Sequence, residues 1–585
     1  MALFLLLLLA WAAQATRVFI VESAYGEAAG CDGCLAQAAL GSDAGFWIVW
    51  LALAWAGFVL KQPLAARALR FVCVALLIYY VLDIYVMTQF SSRMYLAWLM
   101  VVGSTPGPVL DHLAATVEWW RWGLTLGALA LLFGLAWKQP DRPPGSLVNA
   151  AVALSAIAGL VALLSSQPVY YVHGWAVGSV FDASGARTFN RAYGPATLSK
   201  FSEPVAAEAE CRSFGAAANR RDVVVLILES WSPYQSERLT GLNDWTPRLD
   251  GLLHEHASFD RMMASGYSTN HGLMALLTGL PVMATLVPPL ARRSLQPAWG
   301  WDQTLPRQLN RAGYDTAFLT SGDLAFTGKG DWLAHIGFDY LEGHDHPFYD
   351  GMKRLHFRAA PDAALYDRVR AFLSERAPDA SPLALVVESV SSHNPFIHPE
   401  SRTRDEEAVF RYMDETAADF IEALQADGFM EQGGVLVVVS DHRAMKAISP
   451  GELEVLDDEA HARIPMMVLG EDLPPMDASG LWVQSDVGAS LVALATGSAC
   501  SYPGWRNLFE PPGAPRCVFH SRGDDRNLVE VYCDAGRGTV RLAGDDSRFL
   551  SQRGLTPERQ GEILLRLARL RLMADAHNDA FFDRR

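Results

Sequence analysis

Five blocks of apolar residues crowd the first 166 positions of the chain, at about Ala2–Ile20, Phe46–Leu60, Phe71–Phe90, Trp122–Trp137 and Leu147–Leu164. Hydrocarbon leaves no water for backbone polar groups, so spans of this kind fold as helices. A crossing needs roughly 20 apolar residues, with about 17 as the floor. The second and fourth blocks reach that length only with their aromatic flanks. Arg17 and Asp83 are the charges inside the blocks, where such groups either serve function or pair and reach for the interface. The short loops orient the anchor. "KQPLAARALR" brings Lys61, Arg67 and Arg70, and "KQPDRPPG" brings Lys138 and Arg142, whereas the stretch after the first block carries Glu22, Glu27, Asp32 and Asp43. By the positive-inside rule the basic loops are cytoplasmic. The expectation is a multi-pass protein of the inner or plasma membrane, with everything after the fifth block on the periplasmic or extracellular side. "FLLLLLAWAAQA" also resembles a signal-peptide core without a basic start; its removal would leave four segments and the same exterior placement.

The remaining chain is long enough for a large core and more than one domain. We expect a transmembrane domain over 1–166, a juxtamembrane connector over 167–219, an α/β domain over 220–505, and a β-rich segment with a terminal helix over 506–585. The formal charge of −16 argues against nucleic acid as a partner, which selects clustered positive charge. Seven cysteines, among them Cys31, Cys34, Cys500, Cys517 and Cys533, suit pairing in an oxidising compartment, with connectivity left open. Cys31 and Cys34 have no second ligand pair at zinc-ribbon spacing.

In the exterior part, short Val- and Leu-rich runs alternate with helical patterns: "VVVLILE" (223–229), "TAFLT" (316–320), "LALVVES" (383–389), "VLVVVSD" (435–441) and "IPMMVLG" (464–470). Continuous apolar strands separated by helices imply a mostly parallel sheet covered on both faces. Ligands of such sheets bind beyond the carboxyl ends of the strands. That rule selects Glu229, the pair Asp441 and His442, and His393 in the loop "ESVSSHNPF". Carboxylates beside an imidazole suit Mn²⁺ or Zn²⁺. "GYSTNHGLMALLTGLP" (266–281) places Ser268, Thr269 and Asn270 just before an apolar helix. These residues either cap the helix or supply a metal-activated nucleophile at its N-terminus.

Taken in order, "LESWS", "GYSTNHGLMALLTGLP", "GDLAFTGKGDWLAHIGFDYLEG", "SSHNPF" and "VVVSDHRAMK" resemble the alkaline-phosphatase/sulfatase superfamily over roughly residues 222–470. Within it they are most similar to the membrane-anchored phosphoglycerol transferases, namely the lipoteichoic acid synthases and the osmoregulated periplasmic glucan phosphoglycerol transferases. The resemblance implies one divalent ion, Mn²⁺ or Zn²⁺, on Glu229, Thr269, Asp441 and His442. It makes Thr269 the nucleophile, with Ser268 the second candidate, and puts His393 on the phosphate. Lys329, Asp331 and Trp332 become candidates for head-group contacts. The implied activity transfers phosphoglycerol from a phospholipid such as phosphatidylglycerol to an exterior glycan or polymer through a phosphothreonine. Phosphoethanolamine transfer, hydrolysis of a phosphodiester or sulfate type, and a non-catalytic envelope role are the alternatives. Two departures stand out. Arg443 follows His442 where many relatives have glycine, and residues 266–281 lack the C-x-P-S-R or S-x-P-S-R context of a sulfatase.

Overall fold

A computed structural model of the protein describes residues 2–29, 33–90, 93–94, 119–137, 143–165, 193–199, 209–215, 221–283, 301–377, 379–446, 448–476, 478–511, 513, 515–522 and 527–582. The chain forms two compact units: the N-terminal helices, and the α/β part that follows.

All five apolar blocks lie on helices: α1 (Ala2–Ala29), α2 (Cys34–Val59), α3 (Pro63–Phe90), α4 (Trp119–Trp137) and α5 (Ser146–Ser165). Among the described residues α1, α2, α3 and α5 each contain a span long and apolar enough to cross a membrane, and Gly127–Trp137 of α4 is a shorter apolar stretch. Two helices start earlier than the hydropathy implies. Asp43, expected in an exterior loop, lies within α2 and is fully buried. Arg17 Nε stands 3.2 Å from Asp43 and Arg93 Nη1 3.3 Å from it. Arg93 Nε donates to Asp83 at 2.7 Å, and the Tyr80 hydroxyl donates to Asp43 at 2.8 Å. Two arginines and two aspartates thus neutralise one another, which lets the helices run on through charged positions. Arg70, read as a loop charge, is likewise buried within α3 and donates to the carbonyls of Gly57 and Ala136.

The α/β unit is organised on a seven-stranded sheet. Its strands are β1 (Val223–Leu228), β2 (Ala257–Ser258), β3 (Asp315–Thr320), β4 (Tyr340–Glu342), β5 (Leu383–Glu388), β6 (Val435–Ser440) and β7 (Met466–Leu469), in the order β2-β7-β6-β1-β5-β3-β4. The strands β6, β1, β5, β3 and β4 are parallel, while β7 pairs antiparallel with β6 and with β2. The run at 464–470 was expected as one more strand of a mostly parallel sheet, and it supplies the reversed member. Along β1 the side chains alternate between two cores. Val223, Val225 and Ile227 pack on one face, and Val224, Leu226 and Leu228 on the other, as the period of two requires. The first face is covered by α6 (Thr269–Thr278), α7 (Lys329–Ile336) and the later helix α10 (Gln484–Thr496); the second by α8 (Asp362–Ser374) and α9 (Glu406–Ala426).

Downstream lies a four-stranded antiparallel sheet of residues 517–521, 528–533, 536–541 and 548–553, followed by helix α11 (Pro557–Phe582), whose Ile563 and Leu567 join the first core. A disulfide joins Cys517 to Cys533, and another joins Cys211 to Cys500. The second links strand Glu210–Ser213 to strand Ser498–Ser501. The end of the stretch expected as a connector is therefore stitched into the α/β unit by backbone pairing and a covalent bond.

Candidate active site

Because β1, β5 and β6 are adjacent and parallel, their carboxyl ends deliver the chain onto one rim. Glu229 follows β1, and Asp441 and His442 follow β6; all three are buried. Each offers a ligand atom within 4.8 Å of the others. The turn after β1 is held open by Ser230, whose φ of 60° is a left-handed conformation unusual for a residue with a Cβ. That turn lets the Ser230 N–H donate to Asp441 Oδ1 at 2.9 Å and its hydroxyl donate to Glu229 Oε1 at 2.7 Å. The His442 N–H also donates to Asp441 Oδ1, at 2.8 Å. His442 Nδ1 donates to the Arg443 carbonyl at 2.8 Å, which leaves Nε2 as the basic nitrogen on the Glu229 side, 3.6 Å from its Oε1.

The nucleophile candidate arrives on α6. Thr269 opens this helix, and its Oγ1 donates to Glu229 Oε2 at 3.2 Å and lies 3.3 Å from His442 Nε2. Ser268 occupies the N-cap position, yet its side chain makes no capping bond. Capping therefore does not account for the hydroxyls of this loop. Gly272, one turn after Thr269, brings α6 against the backbone of Asp441. A Cβ at Gly272 would meet the Asp441 carbonyl oxygen at 2.3 Å.

The electrostatics of the trio favour a cation. Burial, and after it Glu229, push the Asp441 carboxyl up to about 7. Burial pulls the His442 imidazole down, but Asp441 and Glu229 outweigh it and the net shift is upward. Asp441 Oδ2 is buried without a hydrogen-bond partner. Two crowded carboxylates, one orphaned oxygen and an imidazole nitrogen fit a divalent ion of the Mn²⁺ or Zn²⁺ type.

His393 lies on the loop after β5 and is buried. Its ring packs edge-on against Phe357, with centroids 4.8 Å apart, and Nδ1 pairs with the Asn394 carbonyl. Burial pulls its pKa down to about 4. The loop is pinned by buried Asp362 at the start of α8, which accepts from the N–H groups of Val390 and Ser391. Lys329 begins α7, and its ammonium donates to both oxygens of Glu388, at 2.6 and 2.8 Å. Glu388 ends β5, is buried, and is raised by that burial against the opposing effect of Lys329. The other two head-group candidates are not brought to this rim. Trp332 is 1% exposed within the hydrophobic core, and Asp331 is exposed two residues beyond Lys329, off its helix face. Arg443 is buried, with its guanidinium over the Tyr234 ring at 5.3 Å and Nη1 on the Ala444 carbonyl. The departure from glycine is thus accommodated as packing between the turns after β6 and β1. Reading the sequence passed over Ser230 and Glu388. The latter carried a signal, since it ends an apolar run just as Glu229 does.

The Sulfatase family matches residues 221–498. The phosphoglycerol transferase I of Xanthomonas axonopodis pv. citri (strain 306) is 26% identical over 262 residues, which is 40% of this chain and 36% of that protein. The chain thus spans about a third of the length of the curated relatives it matches. Among solved structures, an alkaline phosphatase superfamily protein from Vibrio parahaemolyticus superposes with a TM-score of 0.52 at 18% identity, covering 68% of this chain and 94% of the other. The integral membrane lipooligosaccharide phosphoethanolamine transferase A of Neisseria meningitidis superposes with a TM-score of 0.51 at 14% identity, covering 85% of this chain and 98% of the other.

Proposed function

We propose, from the Sulfatase family match over residues 221–498, that the chain is a membrane-anchored, metal-dependent transferase of the alkaline-phosphatase/sulfatase superfamily. It moves the phosphoglycerol head group of phosphatidylglycerol onto a glycan or polymer outside the membrane. The observation that carries this reading is Thr269: a hydroxyl at a helix start, within 3.3 Å of His442 and 3.2 Å of Glu229, beside a buried trio suited to a cation. Apolar helices keep the enzyme on the surface that holds its lipid donor, which raises the effective concentration of that donor. Two disulfides in the α/β unit suit an oxidising compartment outside the cytoplasm.

Glu229, Asp441, His442 and Thr269 Oγ1 would hold the ion. Its charge would lower the pKa of the hydroxyl and offset that of the phosphate. Thr269 Oγ1 forms a bond to phosphorus, the bond to the diacylglycerol oxygen breaks, and that oxygen leaves carrying a proton as diacylglycerol. The N-terminus of α6 favours the negative charge now carried on Thr269. His393 spends its Nδ1 proton on the Asn394 carbonyl, so a hydrogen bond from its Nε2 to the phosphate needs the imidazolium, which burial disfavours in the free site and an entering phosphate charge would favour. An acceptor hydroxyl then attacks phosphorus, Thr269 Oγ1 leaves, and the proton of the acceptor restores the threonine.

The test uses the purified full-length protein, head-group-labelled phosphatidylglycerol and a neutral gluco-oligosaccharide. The wild type should release diacylglycerol, carry label on Thr269 after acid quench, pass it to the saccharide, and contain Mn²⁺ or Zn²⁺ by elemental analysis. Thr269→Ala should abolish both label and turnover. Undiminished turnover in that variant, or label on Ser268, removes Thr269 from the role. Label accepted only from phosphatidylethanolamine overturns the head group, and label released only as free glycerol phosphate makes the protein a hydrolase.

A further inference from the structure

The rim that carries Lys329 continues into a second concavity, at the carboxyl ends of β3 and β4. It is a cleft of about 450 Å³ formed by Asp323–Ala325 on one side and Tyr340–Pro347 on the other, within the range of sites that enclose small molecules. The cleft is preformed. The His344 N–H donates to the Gly322 carbonyl at 2.9 Å, and Gly343 packs so closely that a Cβ there would meet Leu324 Cγ at 3.0 Å.

Its lining is polar and carries carboxylates. Glu342 is 3% exposed and both its oxygens are engaged: Arg368 Nε donates to Oε1 at 3.0 Å, and Arg368 Nη2 and the Tyr340 hydroxyl donate to Oε2 at 3.0 and 2.9 Å. Asp323 is 5% exposed and spends Oδ1 on the Ala325 N–H. His344 Nδ1, 3.8 Å from that oxygen, is buried with no hydrogen-bond partner. His346 Nε2 stands 3.5 Å from Glu342, Asp345 is exposed, Tyr340 of the lining is 40% exposed, and Phe348, which follows Pro347 of the lining in the chain, is 36% exposed.

A second anionic phospholipid is a poor occupant, because exposed Asp345 repels it and the nearby guanidinium groups of Arg368 and Arg358 already face Glu342 and Asp323, at 3.0 and 3.7 Å. Inorganic phosphate is disfavoured for the same reason. Carboxylate oxygens and imidazole nitrogens are instead hydrogen-bonding partners for neutral hydroxyls, and exposed aromatic faces cover the apolar side of such a ligand.

We propose that this cleft is the acceptor subsite, and that it holds a neutral, hydroxyl-rich saccharide segment while one of its hydroxyls attacks the phosphothreonine. This rests on the transferase reading. In the step, the acceptor oxygen forms the new bond to phosphorus, the bond to Thr269 Oγ1 breaks, and the acceptor proton ends on Thr269. A segment that already bears a phosphodiester is repelled by exposed Asp345, so the product leaves and unmodified segments are taken first.

The experiment compares the wild type with Asp345→Ala, Asp345→Lys and Phe348→Ala, all at exposed positions, as full-length protein of matched thermal stability. The probes are a neutral gluco-oligosaccharide and the same oligosaccharide bearing a phosphomonoester. Diacylglycerol release without acceptor reads the donor half-reaction, and KM for the oligosaccharide reads the cleft. Asp345→Ala and Phe348→Ala should each raise that KM about tenfold, or about 1.4 kcal/mol, with donor cleavage unchanged. Asp345→Lys should narrow the preference for the neutral probe. An unchanged KM in both alanine variants overturns the subsite, as does a loss confined to donor cleavage. A wild type that cleaves the donor and transfers to neither probe overturns the transferase reading itself, whatever the variants do.

Discussion

Replacing Gly272 with alanine tests whether the nucleophile is placed by backbone contact. A Cβ at this position would lie 2.3 Å from the Asp441 carbonyl oxygen and 2.9 Å from its Cα, where ordinary contact begins at 3.4 Å. About 1 Å must therefore open between α6 and the end of β6. The strand end is held, since Gln484 Nε2 donates to the carbonyls of Ser440 and Asp441 at 2.9 and 2.7 Å. Nor can the helix easily tilt at its far end, because a Cβ on Gly488 of α10 would already meet the Leu276 carbonyl at 2.4 Å. The displacement is thus delivered to Thr269, one turn away on the same helix face. Two effects compete in stability. Alanine gains about 1 kcal/mol over glycine as a helix former, and overpacking costs roughly 1–3 kcal/mol, so the melting temperature should fall modestly. Activity should fall much further, by about 10²-fold for a misplacement of this size. The assay reads diacylglycerol release, metal content and thermal unfolding on one preparation. Wild-type turnover with a raised melting temperature would mean that α6 is free to shift, and the packing argument for Thr269 would be wrong.

Burial lowers His393 from 6.5 to about 4, so on acidification the unfolded state binds a proton that the folded state refuses. Stability should fall as pH drops from about 6.5 to 4, by about 3 kcal/mol in all from this group; chemical denaturation of His393→Gln along the same pH series should show a flatter slope, and an unchanged slope would show that His393 titrates normally. Lys329→Met leaves the Glu388 carboxylate buried without its ammonium and should destabilise by about 3–5 kcal/mol, with much of the loss recovered in the double variant Lys329→Met, Glu388→Gln. Thermal unfolding of the wild type, Lys329→Met, Glu388→Gln and the double variant reads the coupling, and strictly additive losses would show that the pair does not interact.

The strands were legible because burial on both faces forces continuous apolar runs. "VVVLILE" and "VLVVVSD" each end within a residue of the observed β1 and β6. Strand direction was not legible. "IPMMVLG" has the same composition as its neighbours, yet β7 runs the other way, and nothing in an apolar run records its polarity. In the membrane unit the error came from reading charge as exposure. Asp43 and Arg70 looked like loop residues, but their partners lie far from them in the chain: Arg17, Gly57 and Ala136 on other helices and Arg93 beyond the end of α3. A local window sees the charge and not what neutralises it.

The same limit explains the division of labour on the rim. Glu229 and Glu388 both end apolar runs, on neighbouring parallel strands, and the rule that ligands bind beyond strand ends selects them equally. What separates them is the cation each one meets. Glu229 faces Asp441 and His442, a set with too little positive charge of its own, whereas Glu388 is answered by Lys329 from 59 residues earlier in the chain. A carboxylate already paired with an ammonium is a poor metal ligand, since the ion would have to displace a bidentate partner held at 2.6 and 2.8 Å. On the proposed reading Glu388 would therefore leave a metal to Glu229, and it fixes Lys329 beside the site with the charge of that lysine already offset. A head group entering there would meet a positioned donor rather than a free cation, which favours recognition by hydrogen bonding over attraction of any anion.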